Sequence, residues 1–198
     1  LLNGKPVIMY TIEAFYHSDI HPEIILVLNN DFHNYWNELC QKFEFTIPHK
    51  LVNGGKQRFD SVKNGIQSIS CEGIVSIHDA VRPLVSNELI CRTFREAELS
   101  GTAVAAIKSK DSIRQKQDNK TVPLNRDEIF LIQTPQAFSS ELLNKAYQQE
   151  YRSEFTDDAS VVEQSGIQIS LTEGDLKNIK ITFPEDILLA EYYLNSCK

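Results

Sequence analysis

The sequence lacks several features that mark whole classes of protein. No apolar run approaches the length of a membrane-spanning helix. Basic residues are not in surplus either, because 20 Lys and Arg stand against 27 Asp and Glu, a formal net charge of -7 at pH 7. General binding to nucleic acid or to an acidic membrane surface requires a basic face. The composition therefore argues against both partners, while it permits one local basic pocket for a small anionic ligand.

Cysteine is scarce and is not arranged in pairs. The four residues, Cys40, Cys71, Cys91 and Cys197, form no Cys-x-x-Cys pair, and their spacing fits no zinc site. Free cysteine is among the most buried residue types, and a reducing cytoplasm keeps thiols free. The pattern predicts buried free thiols in a cytoplasmic protein.

Common signatures of cofactor and hydrolase chemistry are also missing. The sequence contains neither Gly-x-Gly-x-x-Gly nor the Walker lysine motif, which argues against a dinucleotide oxidoreductase and a P-loop enzyme. A Ser-His-Asp hydrolase would need a nucleophile elbow, and none is present. His17, His21, His33 and His49 have no partners at metal-ligand spacing, so we predict that they are surface residues.

The sequence does contain a regular alternation of short apolar runs and amphipathic stretches. With 198 residues, 41% hydrophobic and 24% charged, it has the size and composition of one globular domain. Strand and helix alternate, which predicts an α/β fold with a mostly parallel sheet and helices on both faces. The predicted strands are 23–28, 50–52, 74–77 and 102–107, and the predicted helices are 5–16, 59–70, 86–99 and one with a buried stripe of Phe32, Trp36, Leu39 and Phe43.

This alternation stops after residue 107. Residues 108–123 are polar and charged, and Asp118-Asn119 has the composition of a hairpin tip between Ile113 and Val122. Such an excursion buries little apolar surface by itself, so it is either a solvated loop or an arm that docks on a second subunit. Beyond it we predict three helices: one at 141–151, one that begins after a cap at Thr156, and one at 185–194. We also predict strands at 168–172 and 178–182.

The most polar strand end follows the run Ile74 to Ile77. This run is rich in β-branched residues, which predicts a strand buried on both faces of a parallel sheet. It ends in His78, Asp79 and Arg82, and ligands of open α/β sheets lie beyond the carboxyl ends of the strands. An acid and an arginine at that point can meet a metal ion or a phosphate. The alternative is an Asp–Arg ion pair that only fixes a strand-to-helix loop.

A second candidate follows the predicted strand at 50–52. Gly54-Gly55 after a strand either lets the backbone approach a ligand closely or makes a tight turn. The turn is the commoner use of such a pair. The glycines alone therefore do not decide between the two.

Seven segments resemble, in order along the chain, the motifs of one family. The similarity starts at Asn3-Gly4-Lys5-Pro6 and covers essentially the whole chain. The segments are Gly54-Gly55-Lys56-Gln57-Arg58-Phe59-Asp60-Ser61-Val62, His78-Asp79-Ala80-Val81-Arg82-Pro83, Asp111-Ser112-Ile113, Asn125-Arg126, Gln133-Thr134-Pro135-Gln136-Ala137-Phe138, Thr156-Asp157-Asp158-Ala159, and Asn178-Ile179-Lys180-Ile181-Thr182 with Pro184-Glu185-Asp186. On these residues the chain resembles the 2-C-methyl-D-erythritol 4-phosphate cytidylyltransferases, which have the nucleotide-diphospho-sugar transferase fold.

The resemblance implies a reaction and an assembly. In this family the phosphate of methylerythritol phosphate attacks the α-phosphorus of CTP, pyrophosphate leaves, and a CDP-alcohol of the non-mevalonate isoprenoid pathway is formed. Mg²⁺ and basic side chains neutralise the two anionic substrates. The implied fold is a Rossmann-like three-layer α/β/α domain that spans residues 1–198. A β-arm at about 108–133 would protrude from it and form a homodimer. The implied location is the cytoplasm.

The resemblance also implies roles for individual residues. Arg126 and Lys180 would be the catalytic residues that hold the attacking phosphate in line, with Arg126 and Ser112 acting across the dimer interface. Lys180 is otherwise a solvated lysine on an edge strand whose flanking isoleucines point to the opposite face. The sugar phosphate would be bound by Asp79, Arg82, Ser112 and Thr134, and the nucleotide by Gly55, Lys56, Ser61, Asp79 and Ala80. Asp79 would also reach the metal ion.

Three departures from the family pattern bear on these expectations. Lys56 stands where the family usually has an acidic or polar residue, and Ser112 replaces a commoner threonine but keeps the hydroxyl. The family's first strand and glycine-rich loop precede the point matched by Leu1-Leu2-Asn3-Gly4-Lys5-Pro6. We therefore expect an N-terminally incomplete chain that, as printed, binds CTP poorly and does not turn over.

Two other functions fit the same residues. The ribitol 5-phosphate cytidylyltransferases share the fold and chemistry, although Ala80 and the run from Arg58 to Val62 favour the methylerythritol enzyme. A non-catalytic dimeric relative that binds a nucleotide is the second alternative. A sugar-transferring enzyme of the same fold would need an Asp-x-Asp pair after the central strand, where only Asp79 stands.

Overall fold

Helices and strands alternate through the first half of the computed structural model, which describes residues 1–196. The elements of this half are α1 (Val7–Tyr16), β1 (Ile25–Leu28), α2 (His33–Lys42), β2 (Lys50–Asn53), α3 (Arg58–Gln67), β3 (Ile74–Ile77), α4 (Asn87–Ser100) and β4 (Thr102–Lys108). The predicted order is confirmed throughout this half, with ends that differ by a few residues. At the end of α4, Gly101 adopts a φ of 84°, a left-handed conformation that favours glycine and stops the helix.

The second half departs further from the predictions. Its elements are β5 (Arg114–Gln117), β6 (Lys120–Pro123), β7 (Phe130–Ser139), α5 (Ser140–Ala146), α6 (Asp158–Gln164), β8 (Leu171–Glu173) and α7 (Pro184–Ser196). The hairpin tip is confirmed at Asp118, whose φ is 52°. The helix predicted at 141–151 ends early, and the strand predicted at 178–182 is wrong because those residues form no strand ladder. The cap of α6 is Asp157 and not Thr156.

Within residues 1–196 the strands form three separate sheets, and two of the five strand pairings are parallel. Strand β1 pairs with β2 and β4 pairs with β8, both in parallel. In the four-stranded sheet of order β3-β7-β4-β8, β7 runs antiparallel to both of its neighbours. Strand β3, predicted to lie within a parallel sheet and to be buried on both faces, instead pairs with β7 alone and is partly buried.

Helices cover both faces of this sheet. Val104 of β4 packs with Phe138, Leu143 and Val162 in a cluster that joins β7, α5 and α6. The next residue, Ala105, belongs to a different cluster, whose other members come from α1, α4 and the segment before α4. Successive side chains of a strand point to opposite faces, so this change of partner confirms the predicted α/β/α layering.

A cleft of about 620 Å³ separates β1 from β3. Its walls include Val27 of β1, and Ile74 and Ser76 of β3, together with Arg58 and Asp79. Within residues 1–196, the facing edges of the two strands pair with no other strand. The hydroxyl of Ser76 is buried there without a hydrogen-bond partner in the described part of the chain.

Trp36 lies in the core, as predicted. It is 3% exposed and packs with Met9, Ile12 and Leu26. Its indole N–H donates to Nε2 of His49 over 2.9 Å. His49 is partly buried, so the prediction that it is a surface residue is wrong. Phe32, predicted in the same stripe, is 54% exposed because α2 starts only after it.

The cysteine prediction is confirmed only in part. Cys40, Cys71 and Cys91 are free thiols, but Cys40 and Cys91 are only partly buried and Cys71 is exposed. Cys197 lies outside the described residues. Between residues 1 and 196 we find no helix long and apolar enough to cross a membrane.

Shortening a fully buried leucine tests the packing of the core. Leu143 of α5 is 0% exposed, whereas Leu99 of α4 is 82% exposed. We expect Leu143→Ala to lower the free energy of unfolding by about 2–5 kcal/mol, since it removes buried methyl groups and leaves a cavity. The control Leu99→Ala should change it by less than about 0.5 kcal/mol. Urea unfolding measures both, and equal effects would contradict the assignment of this cluster as core.

Candidate active site

Asp79 stands in the turn that follows β3, and its backbone is fixed on both sides. Its N–H donates to the hydroxyl of Thr134 in β7 over 3.0 Å. Its carbonyl accepts from the N–H of Arg82 over 3.0 Å. The turn therefore holds the Asp79 side chain beyond the carboxyl end of β3, where ligands of α/β sheets are usually bound.

Three cations converge on the Asp79 carboxylate. Its Oδ2 lies 3.2 Å from Nε of Arg82 and 3.3 Å from Nζ of Lys180, and its Oδ1 lies 4.0 Å from Nε of Arg58. The Asp79 side chain is 14% exposed, whereas that of Lys180 is 49% exposed. The cluster is locally positive in an acidic protein, and its most exposed cation is Lys180.

The cations keep Asp79 ionised. Burial by itself would raise the pKa of Asp79, because a low-dielectric environment disfavours the charged form. Lys180, Arg58 and Arg82 outweigh burial and hold the pKa of Asp79 below its ordinary value. Asp79 is therefore a fixed negative charge at neutral pH and is not a proton donor.

Lys180 is positioned by a buried amide two residues before it. Asn178 is 0% exposed, its side-chain N–H donates to the carbonyl of Thr134 over 2.8 Å, and its own carbonyl accepts from Nη1 of Arg82 over 2.8 Å. Beyond Lys180, the N–H of Ile181 donates to the carbonyl of Val81 over 2.9 Å. These single contacts replace the strand pairing that we predicted for this segment.

Arg82 and Thr134 are buried supports of this site within the single chain. Arg82 is 9% exposed and Thr134 is 4% exposed. Arg82 contacts Asp79 and the Asn178 carbonyl, while Thr134 holds the Asp79 backbone. The resemblance assigned both to the sugar-phosphate site, and the structure places both in contact with Asp79.

Gly55 and Ser61 form a compact turn at the start of α3. The N–H of Gly55 donates to Oγ of Ser61 over 3.0 Å, and that hydroxyl donates to the carbonyl of Gln57 over 3.0 Å. A Cβ on Gly55 would lie 2.2 Å from Cβ of Asp60. Glycine is thus required because the loop packs against α3, which favours the turn interpretation.

Other predicted nucleotide residues border this region. Ala80 follows Asp79, and its carbonyl accepts from the hydroxyl of Thr11 over 2.9 Å. Lys56 is exposed in the loop before α3. Arg58, Ser61, Asp79 and Ala80 all line the cleft between β1 and β3.

Ser112 and Arg126 flank the β5–β6 hairpin and are not bonded to the Asp79 cluster within residues 1–196. Both are exposed, one at each base of the β5–β6 hairpin. The one side-chain hydrogen bond found for Arg126 within the described chain goes to the carbonyl of Lys110, at 3.5 Å. No ion pair or hydrogen bond among residues 1–196 joins either residue to Asp79. A single chain therefore does not assemble the full predicted set.

Sequence reasoning missed one ion pair next to the site, between an exposed arginine and a buried acid. Arg58 contacts Asp158 through both terminal nitrogens, at 2.9 and 2.6 Å, and Asp158 is 0% exposed. Asp158 stands in the first turn of α6. Both residues fall in motifs noted in the sequence, but only the tertiary contact shows that they are partners.

His78 is held neutral beneath the turn. Its Nε2 donates to the carbonyl of Arg82 over 3.2 Å, and its buried Nδ1 has no partner in the described residues. The Phe15 ring packs against it at 5.0 Å between centroids. Burial lowers the pKa of His78 to about 4, because the apolar surroundings disfavour the imidazolium ion.

The lowered pKa of His78 predicts a pH dependence of stability. The unfolded side chain takes up a proton near pH 6.5, whereas the folded one does so near pH 4. As the pH falls through this window the unfolded state is favoured, by up to roughly 3 kcal/mol. Urea unfolding of the wild type and of His78→Gln at pH 7 and pH 4.5 measures it. The variant should lose less stability between the two pH values, and parallel losses would contradict the prediction.

Comparisons with known proteins agree with this geometry. The model of the IspD family, 2-C-methyl-D-erythritol 4-phosphate cytidylyltransferase, matches residues 1–196. A protein of that name from Bacteroides fragilis is 44% identical over 193 residues, which are 98% of this chain and 88% of the relative. Another, from Phocaeicola vulgatus, is 45% identical over 192 residues, 96% of this chain and 87% of the relative.

Solved structures give the same result. The crystal structure of 4-diphosphocytidyl-2C-methyl-D-erythritol synthase from Anaerococcus prevotii superposes with a TM-score of 0.87 at 30% identity, covering 98% of this chain and 88% of that one. The enzyme from Francisella tularensis gives a TM-score of 0.79 at 31% identity, covering 96% and 88%. With this geometry and these matches, the chain belongs to the 2-C-methyl-D-erythritol 4-phosphate cytidylyltransferase family and is a nucleotidyltransferase of isoprenoid biosynthesis.

Proposed function

We propose that the cluster around Asp79 is where CTP and 2-C-methyl-D-erythritol 4-phosphate react. The observation that carries this assignment is the convergence of Arg58, Arg82 and Lys180 on one carboxylate at the end of β3. Two polyanionic substrates repel each other, so the site must supply fixed positive charge where their phosphates meet. The cluster supplies it in a protein whose net charge is -7.

The reaction is a direct displacement at phosphorus. A phosphate oxygen of methylerythritol phosphate forms a bond to the α-phosphorus of CTP, and the bond from that phosphorus to the bridging oxygen of the β-phosphate breaks. The electron pair of the broken bond leaves with pyrophosphate. Positioning and electrostatic stabilisation carry such transfers, so no covalent enzyme intermediate is required.

Lys180 holds the attacking phosphate in line. Its side chain is 49% exposed and contacts Asp79 at 3.3 Å, so it can exchange one anion for another without unfolding its segment. Asp79 keeps the ammonium group aligned before substrate arrives. Arg82 and Thr134 both contact Asp79, on the side of the site where the sugar phosphate binds.

The nucleotide lies along the cleft that Ser61, Asp79 and Ala80 line. Gly55 is joined to Ser61 by its N–H, and Lys56 adds an exposed positive charge in the same loop. These contacts read the base and ribose by backbone and hydroxyl groups, which gives specificity with little net charge.

The β5–β6 hairpin completes the site in a homodimer. Residues 1–198 form one cytidylyltransferase domain whose arm, about 108–133, packs on the neighbouring subunit. Ser112 and Arg126 at the base of the arm then reach the Asp79 cluster of that neighbour. This proposal is supported by the exposure of both side chains and by the absence, among residues 1–196, of an ion pair between Arg126 and Asp79. The free thiols support a cytoplasmic location.

The residues at Asp79 do not fit a resident divalent metal ion. Three cations already lie within 4.0 Å of the carboxylate. Across residues 1–196 we find no group of three His, Cys, Asp or Glu side chains able to hold a metal. We therefore propose that Asp79 does not hold a resident metal ion by itself. The Mg²⁺ of the reaction belongs to the CTP complex, since Mg²⁺ binds readily to substrate phosphates.

Product formation with purified protein tests the reaction and the role of Lys180. CTP with Mg²⁺ and methylerythritol phosphate should give the CDP-alcohol and pyrophosphate, and ribitol 5-phosphate should react far more slowly. Lys180→Ala should lower kcat by roughly 10²–10³-fold, because a charge that stabilises the transition state is lost. The assay uses the protein as its gene encodes it.

Lys145→Ala is the matched control, since Lys145 is exposed on α5. It should keep the wild-type rate. Near-normal turnover by Lys180→Ala would remove Lys180 from the mechanism, and a preference for ribitol 5-phosphate would overturn the choice of substrate.

Mixing two inactive variants tests whether Arg126 acts across the dimer. In a mixed dimer of Lys180→Ala and Arg126→Ala subunits, one site receives both substitutions and the other site receives neither. Subunits mixed in equal amounts should therefore recover about a quarter of the wild-type activity, because half of the dimers are mixed and each has one intact site. If Arg126 served its own chain, every site would carry a substitution and mixing would restore nothing.

A further inference from the structure

Asp158 is the most deeply buried acid near the site, and the reaction described above gives it no task. It is 0% exposed, and a buried carboxylate is costly unless it is paired and hydrogen bonded. Its Oδ1 accepts from Nη1 of Arg58 at 2.9 Å and from the hydroxyl of Tyr147 at 2.6 Å. Its Oδ2 accepts from Nη2 of Arg58 at 2.6 Å. Both oxygens thus have at least one hydrogen-bond donor.

The two terminal nitrogens of Arg58 are committed to Asp158, which fixes the plane of the guanidinium group. The remaining edge, at Nε, faces Oδ1 of Asp79 at 4.0 Å. The oxygens of Asp79 are therefore divided between partners: Oδ1 faces Arg58, while Oδ2 contacts Arg82 and Lys180. The orientation of the Asp79 carboxylate depends on where Arg58 is held.

Asp158 also prevents a competing ion pair. A guanidinium group forms its strongest contact with a carboxylate through two parallel hydrogen bonds. If Arg58 were released, Asp79 would be the nearest carboxylate for such a contact, and Lys180 would lose its partner. Asp158 neutralises Arg58 and keeps it at a distance from Asp79.

We propose that Arg58, clamped by Asp158 and Tyr147, is a positioning residue that orients Asp79 and thereby Lys180 for phosphate binding. The inference rests on the proposed role of Lys180. It assigns a function to an ion pair formed between α3 and α6, in which Asp158 is fully buried and the Arg58 side chain is 41% exposed. A purely structural pair would stabilise the fold without a specific link to Lys180.

A double-mutant cycle distinguishes the two possibilities. Asp158→Asn removes the charge of the clamp and keeps the shape of the side chain. We expect it to lower kcat at least 10-fold while the KM for CTP changes less than about 3-fold. In a Lys180→Ala background, measured in single turnover with enzyme in excess, the same change should lower the rate less than about 2-fold, because the residue it acts through is already gone.

The controls separate positioning from loss of stability. Met9→Ala shortens a side chain that is 0% exposed, in the core cluster around Trp36. Any loss of rate that it causes should be the same in the wild-type and the Lys180→Ala backgrounds. Tyr147→Phe removes one hydrogen bond to Asp158 but keeps the ring stacked on Phe59 at 4.8 Å. It should give a smaller loss of kcat than Asp158→Asn.

The outcomes have different meanings. Equal losses from Asp158→Asn in both backgrounds would overturn the positioning role while leaving the proposed function intact. A near-normal rate for Lys180→Ala alone would instead remove the proposed function. A crystal structure of Asp158→Asn gives a readout that does not depend on activity: Arg58 should move into two-point contact with Asp79 and Lys180 should turn away. An unchanged contact between Asp79 and Lys180 would also overturn the inference.

Discussion

Asp79 keeps its negative charge in a site where its side chain is only 14% exposed, and three cations from separate parts of the chain compensate it. Arg58 comes from the start of α3, Arg82 from the turn after β3, and Lys180 from the irregular segment after β8. Each of these elements must be in place before the carboxylate can remain ionised at this depth. The layout of the site therefore follows from the need to compensate one partly buried charge.

The same requirement explains the buried polar residues around the site. Burial of the Asn178 amide does not by itself stabilise the fold. Its side-chain N–H donates to the Thr134 carbonyl, and this hydrogen bond fixes the segment that carries Lys180. Asp158 and Tyr147 hold Arg58 in the same way. Replacing such groups by apolar ones is often neutral for stability. Their value here is the fixed direction of a few charges, which phosphoryl transfer requires.

The acidic composition and the basic site are compatible because charge acts over short distances. At physiological ionic strength, exposed charges more than about 8 Å apart are largely screened. A net charge of -7 thus does not exclude a local positive field. Membership of a cytidylyltransferase family agrees with this arrangement, since its substrates are small anions and not polyanionic surfaces.

The local sequence determined the elements that depend on near neighbours. Helices with clear caps and apolar periodicity, such as α4 with Ser86 and Gly101, lie where the pattern predicted them. The hairpin tip at Asp118 and the core position of Trp36 were also predictable. So were the residues Asp79, Arg82 and Lys180, through a family resemblance that spans the chain.

Only the tertiary structure decided which distant residues meet. Strand β7 is antiparallel to its neighbours, and residues 178–182 form no strand, because pairing depends on partners far along the chain. The Arg58–Asp158 pair joins residues 100 positions apart, so no local pattern announces it. The sequence by itself thus determined the elements and the chemical groups of this protein, while packing decided which charges face one another, since ion pairing depends on distance in space and not on distance along the chain.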